Sequence, residues 1–193
     1  NTPEVAEEVL ADGCADMVSM ARPFLADPYF VAKAAAGQSA SITPCIACNQ
    51  ACLDHTFGGK ISSCLVNPRA CYETELPMTQ TTSVKRVAVV GAGPAGLATA
   101  MTAAQVGHQV TLFDQADQIG GQLNMAKQVP GKEEFWGLVD WFETMMSETG
   151  VTKKLGTRVQ ASDLADFDEV VVATGVMPRD PEIPGQSDKK VCG

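Results

Sequence analysis

Four cysteines lie close together in the first half of the chain, at Cys45, Cys48, Cys52 and Cys64. Their spacing is C-x2-C-x3-C-x11-C, so three thiolates can converge from one tight loop while the fourth arrives from a short excursion. Iron-sulfur clusters are held by such thiolate sets. Structural zinc also takes four cysteines, but usually from two C-x2-C knuckles, a pattern not present here. The spacing predicts an iron-sulfur cluster, with zinc as the alternative and disulfides last.

The other cysteines are Cys14, Cys71 and Cys192, and lone cysteines are generally small hydrophobic residues or surface thiols. His55 follows Cys52 by three residues and could substitute as a ligand. Because four cysteines already complete a site, we assign His55 no metal role.

A glycine-rich loop, Gly91 to Gly96 (GAGPAG), lies between a predicted strand and a predicted helix. That context strengthens a G-x-G-x-x-G match. Gly91 permits the tight turn, Gly93 lets the backbone approach a pyrophosphate, and Gly96 lets the helix pack close to the strand. The helix N-terminus then offers N–H groups to the phosphates. The loop predicts a dinucleotide site, and the alternative is a purely structural turn.

Asp114 ends the second predicted strand, eighteen residues after Gly96. A carboxylate there would accept both hydroxyls of an adenosine ribose and would repel a 2′-phosphate. This half-site therefore favours FAD or NAD over NADP.

Two further loops could reach the same ligand. Gly120-Gly121-Gln122 could bring backbone and a side-chain amide to a pyrophosphate or flavin, and Ala173-Thr174-Gly175 ends a strand at the edge where α/β proteins bind ligands. The alternatives are a surface turn for the first and a simple strand end for the second.

The elements that must position the cysteines are short. Residues 3–10 are predicted to be a helix, 15–21 a strand-like run, and Pro23 the opening of a second helix, because proline is favoured in a first helical turn. Residues 39–83 lack sustained periodicity and end in a polar linker over 77–83. The cysteine segment must therefore be organised by something other than an apolar core.

The elements around the glycine loop form a βαβ pattern. Residues 85–90 and 109–113 are predicted strands, and 94–106 is a predicted alanine-rich helix. A helix over 132–150 places Phe135, Leu138, Val139, Phe142, Met145 and Met146 on one face. Two more strands are predicted over 151–155 and 169–173. The chain is thus predicted to be α/β.

Composition excludes some classes of function. The 193 residues carry a net charge of −9, which argues against a nucleic-acid partner. No stretch reaches the roughly 18 apolar residues of a membrane helix. Clustered cysteines suit a reducing, cytoplasmic setting. The chain begins with Asn1 and stops at Gly193 in a turn-rich stretch, so we expect a fragment of a longer protein.

With these motifs in place, the chain resembles the bacterial NADPH-dependent 2,4-dienoyl-CoA reductases, which are relatives of Old Yellow Enzyme and trimethylamine dehydrogenase. The resemblance covers the whole chain. It is carried by the stretches ADMVSMARPFLADP (15–28), CIACNQACLD (45–54), SCLVNPRAC (63–71), VVGAGPAGLA (89–98) and IGGQLNMAKQVPGKEEF (119–135).

The resemblance implies three parts: the C-terminal end of an FMN-binding TIM barrel over 1–38, an irregular [4Fe-4S] segment with its linker over 39–83, and an incomplete Rossmann-like FAD domain over 84–193. It implies that Ala21 and Arg22 hold the FMN phosphate. The four clustered cysteines would bind the [4Fe-4S] cluster. The residues implied to line the FAD are Gly91, Gly93, Pro94, Ala95, Gly96, Asp114, Gly121, Gln122 and Thr174.

The activity implied by the resemblance is an electron relay. NADPH gives hydride to FAD, the cluster passes single electrons to FMN, and FMN reduces a conjugated acyl-CoA substrate in fatty acid oxidation. The barrel residues that donate protons and most of the NADPH domain are expected outside the chain. We therefore assign no catalytic residue here and expect no reductase activity from the 193 residues alone. An amine dehydrogenase, an enoate reductase or a zinc-stabilised dinucleotide-binding module is the alternative.

Overall fold

A computed structural model describes residues 2–177 and 179–190. One four-stranded parallel sheet, in the order β3-β2-β1-β4, occupies the second half of the chain. Its strands are β1 (Arg86–Val90), β2 (Gln109–Phe113), β3 (Thr152–Lys154) and β4 (Glu169–Val172). The helices are α1 (Pro3–Ala11), α2 (Arg22–Ala26), α3 (Phe30–Ala35), α4 (His55–Phe57), α5 (Pro94–Gln105), α6 (Leu123–Ala126) and α7 (Glu134–Glu148).

The predicted βαβ unit is confirmed. β1 and β2 pair in parallel from Arg86 opposite Gln109 to Val90 opposite Phe113, with α5 as the crossover between them. Two parallel strands need such a crossover, because a tight turn between them would make them antiparallel. The connection brings the carboxyl ends of both strands to one edge of the sheet.

Helix α5 packs against β1 and β2, α7 packs against α5, and residues of all these elements form the main core. The apolar face predicted for α7 is confirmed at Leu138, Val139, Phe142, Met145 and Met146, all of which are buried. Helix α7 ends before Gly150, which has φ +72. Trp141, which the periodicity did not place on this face, is also buried.

Strand β4 lies at one edge of the sheet and is largely exposed. Val172 is 72% exposed and Val170 is 42% exposed, although both occupy strand positions opposite the buried strand β1. Exposed valines on an edge strand are a surface on which further chain can pack.

The strand predicted over residues 15–21 is absent. This run has no regular structure, and Met17 is 79% exposed. An extended run becomes a strand only when a neighbouring strand takes up its backbone hydrogen bonds, and no strand in the described part of the chain flanks this one. The second helix is confirmed as α2, with Pro23 in its first turn.

Residues 39–83 are irregular, as predicted, apart from short turns of helix at Ser39–Ser41, Gln50–Asp54 and His55–Phe57. The linker over 77–83 is tied to the end of α5. The Thr81 amide donates to the Val106 carbonyl at 2.8 Å, and the Gln80 side chain donates to the Gln105 carbonyl at 2.7 Å. These hydrogen bonds attach the end of the cysteine segment to the end of α5.

Asp27, only 2% exposed, joins α2 and α3 to the cysteine segment. Its carboxylate accepts from the Lys33 ammonium at 2.6 Å and from the backbone amides of Thr43 and Tyr29, each at 2.9 Å. Lys33 also donates to the Ser41 carbonyl at 2.8 Å. A buried charge is tolerated when its partners satisfy it in this way.

Ser41, which accepts from Lys33, is also hydrogen-bonded to helix α7. The Trp141 indole donates to the Ser41 carbonyl at 3.2 Å, and the Ser41 hydroxyl donates to the Glu148 carboxylate at 2.5 Å. The stretch just ahead of Cys45 is therefore bonded to both α3 and α7.

Asp27→Ala is expected to lower the free energy of unfolding by about 3 kcal/mol, because it leaves a partly buried ammonium and two amides without their acceptor. Urea unfolding followed by circular dichroism measures the change. Glu143→Gln, which breaks the exposed ion pair with Lys153, is the control and should cost less than about 1 kcal/mol. Equal costs for the two variants would contradict the structural role given to Asp27.

No helix in the described part of the chain combines the length and the apolar composition needed to cross a bilayer.

Candidate cluster cavity and dinucleotide cleft

The four predicted cysteine ligands border one small cavity. Cys45 is buried, and Cys48, Cys52 and Cys64 are half-buried. The described residues lining this cavity are Arg22, Leu25, Cys45, Ile46, Cys48, Asn49, Ala51, Cys52, Cys64 and Leu65. The fold thus brings the four spaced thiols to the border of one cavity, whose other lining side chains are mainly apolar.

The arrangement of the thiols bears on which metal they suit. A single tetrahedral zinc, with Zn–S bonds of about 2.3 Å, requires its ligands to meet at one point. Within residues 2–177 and 179–190, no three side chains of His, Cys, Asp or Glu converge closely enough for one ion. Four cysteine thiols at one cavity are a donor set that iron-sulfur clusters and structural zinc both use.

Burial raises the pKa of the Cys64 thiol, and the neighbouring Cys45 and Cys48 raise it further because thiolates repel one another. Backbone amides of Val66 and Asn67 act in the opposite direction. Several thiolates brought together in a poorly solvated place need positive charge to stay ionised, and a bound metal supplies it.

The cysteine loop has an unusual backbone on both sides of Cys48. Ala47 has φ +53 and Asn49 has φ +60, both in the left-handed region. A left-handed alanine costs roughly 1–2 kcal/mol, whereas asparagine adopts this conformation more readily. Asn49 is followed by one turn of π-helix, Gln50–Asp54, which carries Cys52. Strained backbone of this kind clusters at functional sites.

The proposed FMN-phosphate residues and the other thiols are also located. Arg22 is half-buried against the cysteine cavity, and Ala21 is exposed at the start of α2. Cys14 and Cys71 are exposed, and Cys192 lies outside the described residues. His55 does not line the cavity, and its Nδ1 contacts the Ile61 carbonyl at 3.1 Å.

The glycine loop connects β1 to α5 in a very tight space. A Cβ on Gly91, at φ +111, would lie 2.3 Å from the Ala173 carbonyl oxygen, and one on Gly96 would lie 1.8 Å from the Gly91 carbonyl oxygen. A Cβ on Gly93 would meet no heavy atom within 4 Å. Two glycines thus serve packing within the protein, while Gly93 leaves open space beside the backbone.

That open space lies at the start of α5. Gly93 is the N-cap residue, with Pro94 and Ala95 in the first turn, and no side chain caps the helix amides. Uncapped N–H groups and the positive end of a twelve-residue helix suit a phosphate. Pro94 and Ala95 are both exposed at this end of the helix.

Asp114 lies directly after β2 and is held by backbone. Its carboxylate accepts from the Ala92 amide at 2.6 Å and from the Ala116 amide at 2.8 Å. The first bond connects it to the glycine loop. Each carboxylate oxygen keeps a further lone pair, so these two bonds leave acceptor capacity for ribose hydroxyls.

The second glycine pair packs on the first. The Gly120 amide donates to the Ala92 carbonyl at 2.8 Å, and a Cβ on Gly121 would lie 2.9 Å from the Gly93 Cα. Gln122 is exposed and precedes α6. This pair therefore lies against the glycine loop that follows β1.

An open cleft of about 350 Å³ lies at the carboxyl edge of the sheet. It joins Gly91, Asp114 and Thr174, three residues predicted for the FAD site. Its remaining described lining residues are Val90, Gln115, Thr157, Arg158, Val159, Gly175, Val176 and Met177. Ligands of open α/β sheets bind in such a position.

The sequence did not point to Thr157 and Arg158. They follow β3, whose three residues are all exposed and carry no apolar pattern. The one available signal was position, since residues just after a parallel strand reach the same edge as Asp114 and Thr174.

Comparisons with known proteins agree with this architecture. Residues 85–193 match the family described as pyridine nucleotide-disulphide oxidoreductase. The chain is 42% identical to a metal reductase of Desulforamulus reducens, over 99% of this chain and 30% of that protein. The four cavity cysteines lie outside the family match and inside the longer alignment, which spans nearly the whole chain.

Solved structures resemble the chain over almost its full length. A 2-naphthoyl-CoA reductase in complex with 2-naphthoyl-CoA superposes with a TM-score of 0.93 at 36% identity, over 98% of this chain and 29% of that one. Histamine dehydrogenase from Rhizobium sp. 4-9 gives a TM-score of 0.85 at 30% identity, over 94% and 27%. The chain thus spans under a third of the length of each of these proteins.

Proposed function

Because the chain belongs to the pyridine nucleotide-disulphide oxidoreductase family, we propose that it is the electron-transfer part of a larger flavin- and iron-sulfur-dependent oxidoreductase. The observation that carries the proposal is the pairing of a four-cysteine cavity with a dinucleotide cleft in one folded unit. When bound, the flavin would supply hydride chemistry and the cluster single-electron transfer.

In this proposal the dinucleotide cleft holds FAD. The start of α5, with Gly93, Pro94 and Ala95, binds the pyrophosphate through backbone amides. Asp114 accepts hydrogen bonds from the ribose hydroxyls, and Thr174 lines the same cleft. Gly121 and Gln122 border the same loop, while Gly91 and Gly96 keep strand and helix close enough for the turn.

Cys45, Cys48, Cys52 and Cys64 are proposed to hold a [4Fe-4S] cluster. Ala21 and Arg22 are proposed to contact the phosphate of an FMN bound mainly by the rest of the protein. Residues 1–38, 39–83 and 84–193 would then be the end of an FMN barrel, the cluster segment and the FAD domain. The chain's own task in this scheme is to hold two redox sites at a constant separation.

The proposed substrate of the whole enzyme is an unsaturated acyl-CoA thioester, reduced at the expense of NADPH, as in a 2,4-dienoyl-CoA reductase. The match to a structure named for a CoA-thioester reductase supports this class. The match to a histamine dehydrogenase favours an amine as the second candidate. Residues outside the chain would distinguish the two.

The test is anaerobic purification of the protein followed by iron, sulfide, zinc and flavin analysis. We expect about four irons and four sulfides per chain, the stoichiometry of a [4Fe-4S] cluster, and bound FAD. Zinc without sulfide would overturn the cluster, and absence of flavin would overturn the dinucleotide site. Assays of the full-length enzyme with a dienoyl-CoA and with histamine then separate the two substrate classes.

Asp114→Ala is expected to weaken FAD binding by about 10- to 100-fold, because a hydrogen bond to a charged group contributes about 1.5–3 kcal/mol. Fluorescence titration of the deflavinated protein measures the dissociation constant. Asp117→Ala, at an exposed carboxylate three residues away, is the control. Equal FAD affinities for the two variants would contradict the ribose contact.

A further inference from the structure

Arg22 is the one charged residue among the ten described residues that line the four-cysteine cavity. Its guanidinium donates a hydrogen bond to the side-chain oxygen of Asn49, 27 residues further along the chain. Asn49 directly follows Cys48 and has φ +60. One side chain therefore brings a positive charge beside the thiols and also tethers their loop next to Cys48.

The segment that carries Arg22 also contacts the chain close to Cys45 and Cys64. The Leu25 carbonyl accepts from the Asn67 side chain at 2.9 Å, three residues after Cys64. The Asp27 carboxylate accepts from the Thr43 amide at 2.9 Å, two residues before Cys45. Residues 22–27 thus contact the cysteine segment ahead of its first cysteine, next to its second and after its last.

We propose that Arg22 is a positioning residue for the cysteine loop and raises the reduction potential of the cluster held there. This inference rests on the proposed function. Asn49 acts with Arg22, because the hydrogen bond between them holds the guanidinium against the cavity. The same bond holds the loop in its left-handed turn at Asn49.

The direction of the effect follows from charge. Four thiolates give the site a negative charge, and one-electron reduction makes it more negative. A nearby guanidinium stabilises the reduced form more than the oxidised form, which raises the potential. An arginine keeps its charge at any pH compatible with folding. The half-exposed position of Arg22 weakens the effect, since water screens part of its field.

The experiment uses the full-length protein with its cluster, purified anaerobically and titrated with dithionite while the reduced cluster is followed by electron paramagnetic resonance. Arg22→Gln should lower the reduced-to-oxidised ratio at constant solution potential by up to about tenfold, a shift of about 59 mV towards negative values. Arg69→Gln removes the same charge from a residue that does not line the cavity, and its potential should be unchanged.

Two further variants separate charge from position. Arg22→Lys keeps the charge, so its potential should lie close to that of the unaltered protein. Asn49→Gly keeps the left-handed backbone but removes the acceptor, so the cluster should be lost several-fold faster to an iron chelator. If Arg22→Gln fails to retain a cluster, the rates at which Arg22→Lys and Asn49→Gly lose iron to the chelator decide whether Arg22 positions the loop.

The inference is overturned if Arg22→Gln retains its cluster at the unaltered potential, or if Arg22→Lys and Asn49→Gly both lose iron at the unaltered rate. Absence of iron and sulfide from the unaltered protein is a different result, because it overturns the proposed cluster itself.

Discussion

Cys64→Ser is expected to abolish incorporation of iron and sulfide while leaving the parallel sheet folded. Cys64 reaches the cavity from outside the tight loop that carries the other three cysteines, so its loss removes one ligand without disturbing that loop. A serine hydroxyl is a poor substitute for a thiolate ligand because it is not ionised at neutral pH. Iron and sulfide per chain, with the broad visible absorbance of the cluster, measure the effect.

Cys71→Ser and Cys14→Ser are the matched controls, because both thiols are exposed and neither borders the cavity. Both should retain full iron and sulfide. Full iron and sulfide in Cys64→Ser, or loss of the cluster in Cys71→Ser, would show that the four-cysteine assignment is wrong.

Gly93→Ala is expected to lose FAD affinity but keep its stability, whereas Gly96→Ala is expected to lose stability. A methyl group on Gly93 meets no protein atom within 4 Å, and its φ of −77 suits alanine. That variant should fold with unchanged stability but lose FAD affinity at least tenfold, because the methyl group occupies the proposed pyrophosphate position. A methyl group on Gly96 would lie 1.8 Å from a backbone oxygen, so that variant should be destabilised throughout the βαβ unit.

Thermal unfolding and FAD titration, measured on the same preparations, separate these outcomes. Gly137→Ala in α7 is the control, since its Cβ also meets open space but lies away from the cleft, and it should alter neither quantity adversely. Unchanged FAD affinity in a folded Gly93→Ala protein would argue against the pyrophosphate position.

Local patterns predicted the sheet domain well. The runs of strand-forming residues before GAGPAG and before Asp114 were sufficient to predict β1 and β2, because strands buried inside a parallel sheet are mostly apolar. The same logic failed at residues 15–21, where a run that includes Asp16 and Ser19 has no neighbouring strand to pair with in the part of the chain that the structure describes. The sequence pattern indicates a preference for extended backbone. Whether a strand forms depends on whether another strand lies beside it to pair with.

The sequence predicted which four cysteines lie together at the small cavity, but not which residues support their loop. Spacing alone grouped Cys45, Cys48, Cys52 and Cys64, since ligands of one site must be close in space. It gave no sign that Asn49 and Ala47 are left-handed, or that Arg22 reaches the loop from 27 residues away. Such contacts depend on how separate segments pack, which no local periodicity encodes.

The Ser41 carbonyl, which accepts from both Lys33 and Trp141, has a kinetic consequence. Electron tunnelling slows exponentially with distance, so a hinge between two redox sites would make transfer wait for closed conformations. With Ser41 also bonded to Glu148, the segment leading into Cys45 is joined to the helix that supports the sheet. Transfer between the two proposed sites would then cross one constant gap, and its rate would be insensitive to solvent viscosity.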